Sequence, residues 1–288
     1  MKKRSIVLIA LMALAAAACG GGSDGGEAGS GDDLLAQIKA DGIIVVSTDP
    51  AYPPQSELNP TTNEYEGFDI EVAEEIASRL GVEVQWETPA WEAITSGNWQ
   101  DRWQMSVGSI TVTSERAEVL DFAPAYYFTP ASVAVHADNT TITNTDSDLD
   151  GKRVGACGGC TYDLFLQKTL EIPGYTFDFV IDDAEIVTYD TDSTVIADLS
   201  VGDGARLDAM ISATPTVEGA IADGSPIKIV GDPIFFEPLA VAFDKASTKD
   251  GASLLAEVSK IVEEMHSDGT MSELSMKWYG ADLTKSNG

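Results

Sequence analysis

Residues 69–86 read Asp69-Ile70-Glu71-Val72-Ala73-Glu74-Glu75-Ile76-Ala77-Ser78-Arg79-Leu80-Gly81-Val82-Glu83-Val84-Gln85-Trp86. Apolar residues at Ile70, Val72, Ala73, Ile76, Ala77 and Leu80 make a stripe along one face of a helix, and Gly81 closes it. The period then changes. Val82, Val84 and Trp86 alternate with Glu83 and Gln85, which is the pattern of a strand. Before this stretch, Ile43-Ile44-Val45-Val46-Ser47 is a short apolar run that reads as a buried strand, and Leu34, Leu35 and Ile38 precede it with helical spacing up to Asp41-Gly42. After it, a helix is predicted from Trp91 to about Gly97 and a strand from Gln104 to Ile110. Strand, helix, strand, helix, strand is the signature of an open α/β sheet.

The same alternation returns after residue 150. Val154-Gly155-Ala156 reads as a strand, followed by a helix from Tyr162 to about Leu170. Ile186–Tyr189 is a strand and Ser193–Val201 a helix. Asp208–Ser212 is a strand, Pro215–Ala222 a helix and Ile227–Val230 a further strand. Leu239–Phe243 then returns as a strand, with helices near Ser253–His266 and Met271–Trp278 separated by Gly269. The chain thus carries two α/β units, the second set into the first. Pro50, Pro53, Pro54 and Pro60 make the segment after the first strand an irregular loop.

The N-terminus stands apart. Lys2, Lys3 and Arg4 precede the apolar run Ile6–Ala18, a secretory signal layout too short to span a membrane comfortably. Ala16-Ala17-Ala18-Cys19 is similar to a bacterial lipoprotein processing site, although a leucine at Ala16 would be more usual; an ordinary signal peptide with a chance cysteine is the alternative. Residues 20–33 are Gly, Ser, Asp and Glu with almost no apolar content, so 19–33 reads as a flexible tether that a lipid on Cys19 would anchor. The whole chain of 288 residues has 17 basic and 47 acidic residues, a net charge of −30. Without residues 1–18 it has 14 basic residues and a net of −33. That charge argues against nucleic acid as a partner and against a polybasic grip on anionic lipid.

With so few cations, Ser109-Ile110-Thr111-Val112-Thr113-Ser114-Glu115-Arg116 stands out. A guanidinium offers a planar fork of donors that meets a carboxylate in two places. Set among hydroxyls, Arg116 would make a pocket for a small anion. The plainer alternative is a surface arginine paired with Glu115 or Glu118.

Four stretches together resemble family 3 of the extracytoplasmic solute-binding proteins, the amino-acid receptors of ATP-driven importers. They are Gly67–Val72 with its helix, Ser109–Arg116 with Asp121-Phe122, Asp150-Gly151-Lys152-Arg153-Val154-Gly155, and Asp268-Gly269-Thr270 with Lys277-Trp278-Tyr279-Gly280. The resemblance covers residues 34–285 and implies a two-lobed α/β fold of the type II periplasmic-binding-protein class, with the ligand in the cleft between lobes. Lobe 1 would comprise 34–128 plus 236–285 and lobe 2 131–233, with crossings near 128–130 and 234–236. It implies that Arg116 binds the ligand's α-carboxylate, that Thr111 and Thr161 add hydrogen bonds to it from opposite lobes, and that the Ser109 carbonyl accepts from the ligand's amino group. Tyr52 and Trp91 would wall the ligand's side chain, although both also suit an ordinary core, and Asp49 would make a polar contact. The partners implied are a small carboxylate ligand, a polar amino acid above all, and an importer permease. The protein would be a monomer without cofactor or metal.

Two departures matter. Where the family has an ammonium-binding aspartate, this chain has Ala213, after Leu207-Asp208-Ala209-Met210-Ile211-Ser212. A buried ammonium without a counter-charge is costly, so Glu237 or Asp192 would have to substitute, or the ligand lacks a standard ammonium. The second departure is Cys157-Gly158-Gly159-Cys160. Outside the cytoplasm such a pair can close a disulfide, here one stiffening the loop before Thr161. A redox-active role would need a thioredoxin-like setting that the sequence does not display. Zinc would need more ligands, and His136 and His266 are distant in sequence. Beside the receptor stand two other readings: a dehydratase- or lyase-like enzyme on the same scaffold, which would need an acid or base at the cleft, and a ligand-sensing domain.

Overall fold

The computed structural model describes residues 32–285; the signal layout, Cys19 and nearly all of the tether lie outside them. Asp33 caps the first helix, α1 (Leu34–Asp41), its Oδ1 accepting from the Ala36 N–H at 3.0 Å, and Gly42 stops it in left-handed backbone. The strand β1 (Ile43–Ser47) follows. The proline-rich segment is more ordered than its composition predicts: β2 (Ala51–Tyr52), β3 (Ser56–Leu58) and β4 (Tyr65–Glu66) form a small antiparallel sheet. Pro50, Pro53, Pro54 and Pro60 all fall outside these short strands, where no ladder hydrogen bond is lost.

The decisive stretch folds as its periodicity dictates. Helix α2 (Phe68–Leu80) buries Phe68, Ile70, Val72, Ala73, Ile76, Ala77 and Leu80, and β5 (Glu83–Glu87) follows it. Gly67 starts the helix at φ +134°, and a Cβ there would lie 2.2 Å from the Gln55 carbonyl oxygen, so only glycine lets the two segments approach. Next come α3 (Trp91–Thr95), β6 (Met105–Thr111), α4 (Arg116–Val119) and β7 (Leu120–His136). The second unit contributes β8 (Arg153–Cys157), α5 (Thr161–Leu166), β9 (Glu185–Tyr189), α6 (Asp192–Leu199), β10 (Ala209–Ala213) and α7 (Thr214–Ala222). The strand β11 (Ile227–Asp244) and the helices α8 (Ala252–Asp268) and α9 (Thr270–Tyr279) complete the chain.

Eight strands form one continuous sheet in the order β5-β1-β6-β11-β7-β10-β8-β9. Its outer pairs are parallel, as α/β crossovers require, while the central β7 and β11 are antiparallel to each other and to their neighbours. Two expectations change here. The separate strands predicted at Ile227–Val230 and Leu239–Phe243 are the two ends of β11, and the crossing implied near 128–130 lies within β7, a strand of 17 residues whose length no local pattern marks. These two strands pass through both halves of the molecule, pairing from Ile227↔His136 to Asp244↔Leu120, with a break in register between Val230 and Phe235. Prolines at 124, 130, 233 and 238 hide the continuity from a local reading.

Each half has its own core. Phe68, Ile76, Met105, Tyr126, Tyr127, Val241, Val262 and Met265 are among those buried in lobe 1, under α2, α8 and α9. Val133, Val154, Tyr162, Phe165, Ile211 and Phe235 are buried in lobe 2, with Val195, Leu199, Leu207 and Met210 packed beneath α6. Each such side chain contributes roughly 1.5–3 kcal/mol on burial. Among the described residues no helix is long and apolar enough to cross a membrane.

Candidate functional site

Between the two cores lies a partly enclosed cleft. Residues reaching it come from five places. The β1–β2 turn brings Asp49 and Tyr52, and α3 brings Trp91. The end of β6 and the start of α4 bring Ser109, Thr111 and Arg116. Lobe 2 supplies Cys157, Cys160, Thr161, Tyr162, Asp190 and Asp192, and β11 supplies Glu237. Every residue singled out for ligand contact in the sequence therefore lines one cavity, although they span positions 49 to 237.

Arg116 is 5% exposed, while Glu115 and Glu118 are exposed. The surface ion pair is thereby set aside. One guanidinium nitrogen, Nη1, donates to the Thr111 carbonyl at 3.1 Å and the other, Nη2, to the Gly159 carbonyl of lobe 2 at 3.0 Å. Its Cζ lies 5.0 Å from the Trp91 ring centroid, and Trp91 Nε1 also donates to Gly159 O at 3.4 Å. Burial lowers the Arg116 pKa to about 10, against the opposing pull of Glu237 and Glu115, so the guanidinium keeps its charge at neutral pH.

The threonines depart from expectation. Thr111 Oγ1 and Thr161 Oγ1 each donate to the same oxygen, Glu237 Oε2, at 2.6 Å. A hydroxyl has one hydrogen to give. Both are used on a carboxylate of the protein itself, so neither is free for a ligand while these bonds hold. Among the donors left open in lobe 2 are the backbone N–H groups of Thr161 and Tyr162, which have no acceptor among the described residues. Glu237 is 1% exposed, and burial raises its pKa despite the threonine hydroxyls and Arg116. Both threonines use one oxygen, Oε2, so Glu237 keeps acceptor capacity on its other oxygen.

Asp192, the other candidate, opens α6 and is 5% exposed. Ser212 Oγ, beside Ala213, donates to its Oδ1 at 2.5 Å. Burial raises its pKa to about 7, with Asp49 and Glu237 adding to the rise and Ser212 opposing it. The carboxylate of Asp192 thus lies beside the strand end that carries Ala213. Asp49 accepts from the Ala51 N–H at 2.8 Å, and burial raises its pKa as well. Tyr52 is buried, and its hydroxyl lies 3.1 Å from that of Tyr162 across the cleft. Cys157 and Cys160 are joined by a disulfide, Cα to Cα 5.5 Å.

Ser109 is held from behind by a group the sequence reading assigned no role. Asp69, fully buried in the first turn of α2, accepts from Ser109 Oγ and from Tyr126 OH, each at 2.7 Å. Tyr126 OH in turn accepts from the Ser109 N–H at 3.0 Å, and Tyr127 OH lies 2.6 Å from Ser109 Oγ. Ser109 has φ +54°, an uncommon conformation for a residue with a side chain, and this network holds it there. Burial raises the Asp69 pKa to about 7, although Ser109 and Tyr126 pull it down. Tyr162, Asp190 and Asp69 were missed because nothing local marks them; Asp69 does sit inside the Gly67–Val72 stretch, and its burial beside an apolar stripe was the available signal. Asp208 is structural, its carboxylate taking the Arg153 N–H at 2.8 Å and Nε at 3.2 Å.

Comparison with known proteins matches residues 44–281 to the model of bacterial extracellular solute-binding proteins, family 3. The L-cystine-binding protein TcyJ of Escherichia coli strain K12 is 28% identical over 279 residues, 96% of each chain. An ancestral arginine-binding protein solved with arginine bound is 26% identical, with a TM-score of 0.70, covering 83% of this chain and 99% of that one. An ancestral amino-acid-binding protein, AncCDT-1, described as a precursor of cyclohexadienyl dehydratase, is 25% identical with a TM-score of 0.73, covering 85% and 99%.

Proposed function

We propose that this chain, which belongs to family 3 of the bacterial extracellular solute-binding proteins, binds a polar α-amino acid in the cleft and presents it to an ABC importer. The observation that carries the reading is the polarity of the cleft: one buried guanidinium, Arg116, lines it from lobe 1, and the buried carboxylate of Asp192 lines it from lobe 2. A zwitterion is complementary to such a pair. The ligand carboxylate docks on Arg116 and on the open N–H groups of Thr161 and Tyr162. Its ammonium docks on Asp192, with the Ser109 carbonyl as a second acceptor. Tyr52 and Trp91 flank the side chain, and Asp49 and Asp190 favour a polar or cationic one.

Closure of the lobes around the ligand is supported by the contacts that already join them: Arg116 and Trp91 to Gly159, Gln55 to Thr216, and Ser193 to Ala51. Binding without catalysis is the favoured mode, and the lobe-closed form is the one the permease would meet. The leader at residues 1–18 would direct export, and a lipid on Cys19 would hold a monomeric receptor at the membrane through the 19–33 tether.

A thermal-shift screen over amino acids, including cystine, arginine, histidine and glutamine, tests the reading. A ligand present far above its Kd raises the apparent stability by mass action, about 2.7 kcal/mol at a hundred times Kd. No stabilisation by any amino acid would sink it.

A further inference from the structure

The disulfide was expected to be a crosslink and nothing more, for want of a thioredoxin-like setting. The cleft supplies the two features that such a setting provides. First, both cysteines line the ligand cavity. Cys157 is 3% exposed, whereas Cys160 is partly exposed, so of the two lining residues Cys160 is the more open to a molecule in the cleft. Second, a carboxylate oxygen of Asp192 and both sulfurs lie within 4.8 Å of one another. A buried acid within that distance can exchange a proton with a leaving sulfur through one water or a small shift of its side chain. A crosslink serving only stability has no use for either feature; disulfides that small thiols can reach are the labile ones.

We propose that Cys157–Cys160 is a redox-active disulfide that exchanges with a small thiol bound in the cleft, with Asp192 as the proton donor and acceptor. This goes beyond ligand binding and needs of it only that small molecules enter the cleft. The thiol RSH ionises, and its thiolate attacks Cys160 Sγ. The RS–S bond forms, the Cys160–Cys157 bond breaks, and its electron pair departs on Cys157 Sγ. The Asp192 carboxylic acid protonates that thiolate, and the proton lost by RSH returns Asp192 to its acid form. A second RS⁻ attacks the ligand sulfur of the mixed disulfide, releasing RSSR, and Cys160 takes up the second proton. Two RSH and one protein disulfide become RSSR and one protein dithiol; two electrons pass to the protein. The reverse direction, with a small disulfide as oxidant, re-forms the bond.

The groups facing Asp192 allow it to serve. Asp49 on the β1–β2 turn and Glu237 on β11 raise its pKa together with burial, Ser212 lowers it, and the result is about 7. Tyr52 and Tyr162 face it as neutral phenols, their own pKa values well above 10; exposed Asp190 precedes it, and Arg116 is the cation across the cleft.

The test uses the folded, oxidised protein, L-cysteine as the probe, and intact mass with thiol counting as the readout. The protein disulfide should be reduced faster in the folded chain than in the urea-unfolded chain, with one cystine formed per dithiol. Slower reduction of the folded chain overturns the proposal. In Cys157→Ser, cystine should place a cysteinyl adduct on Cys160, and in Cys160→Ser the buried Cys157 should stay free; the opposite pattern overturns the order of attack. The rate per cysteine thiolate should fall as pH rises through about 7, and Asp192→Asn should lower it about 10²-fold at pH 6 and flatten the profile. A native profile already flat overturns the role of Asp192 even if the variant fails to fold. Amino-acid binding is read separately by thermal shift, so a chain that binds amino acids but resists cysteine loses this proposal alone.

Discussion

Arg116 of lobe 1 donates through Nη2 to the carbonyl of Gly159 in lobe 2 at 3.0 Å, so the group assigned to the ligand carboxylate is also a tie between the lobes. Arg116→Ala should therefore weaken amino-acid binding by roughly 3–5 kcal/mol, the usual effect of removing one partner of a buried charge pair. Arg116→Lys should recover only part of it, because one ammonium cannot serve Thr111 O, Gly159 O and a ligand as a planar fork does. Isothermal titration calorimetry is the check, and an unchanged Kd in Arg116→Ala would remove the residue from the site.

Asp192→Asn should lower affinity for an α-amino acid by about 2–5 kcal/mol. The matching carboxylic acid without the amino group should bind the variant and the native chain alike. If instead Glu237→Gln shows that selective loss and Asp192→Asn does not, the ammonium sits at β11.

Stability of the unliganded chain should rise as pH falls from about 8 to about 5. Asp69 and Asp192 have folded-state pKa values raised to about 7 by burial. A raised carboxylate penalises the fold above its folded pKa, and the penalty fades as pH falls toward the unfolded value near 4. For Asp69 the full displacement corresponds to a few kcal/mol in order of magnitude. Relief of acidic self-repulsion acts in the same direction, so the discriminating measurement is Asp69→Asn: its melting temperature should depend less steeply on pH across this window. Equal slopes would mean that Asp69 ionises freely in the fold.

Gly67→Ala should destabilise the chain by about 3 kcal/mol or more. The new methyl would meet the Gln55 carbonyl at 2.2 Å, in a backbone region costly for any L side chain. Urea denaturation measures it. Gly42→Ala, where a Cβ meets nothing within 4 Å, should lose less and serves as the comparison for positive φ alone.

Most of the α/β order was legible because helix and strand periods are local. The stripe from Ile70 to Leu80 and the alternation from Val82 to Trp86 each need only a dozen residues to be read. The length of β7 and β11 was not legible. Prolines interrupt both strands, and their continuity depends on pairing between segments about a hundred residues apart. The candidate site was legible as a set of residue types, through the resemblance around Ser109–Arg116 and Thr161.

What the sequence alone determined is therefore the α/β alternation of the two units outside β7 and the proline-rich segment, and that one arginine stands among hydroxyls in a very acidic chain. Only the tertiary structure decided the partners. Thr111 and Thr161 spend their hydroxyls on Glu237, 126 and 76 residues further on. Asp69 holds Ser109 from behind, and Asp192 lies beside a disulfide. The physical reason is that periodicity is set by backbone geometry over neighbouring residues, whereas a hydrogen bond or a displaced pKa depends on which groups the packed sheet brings within a few ångströms and seals from water.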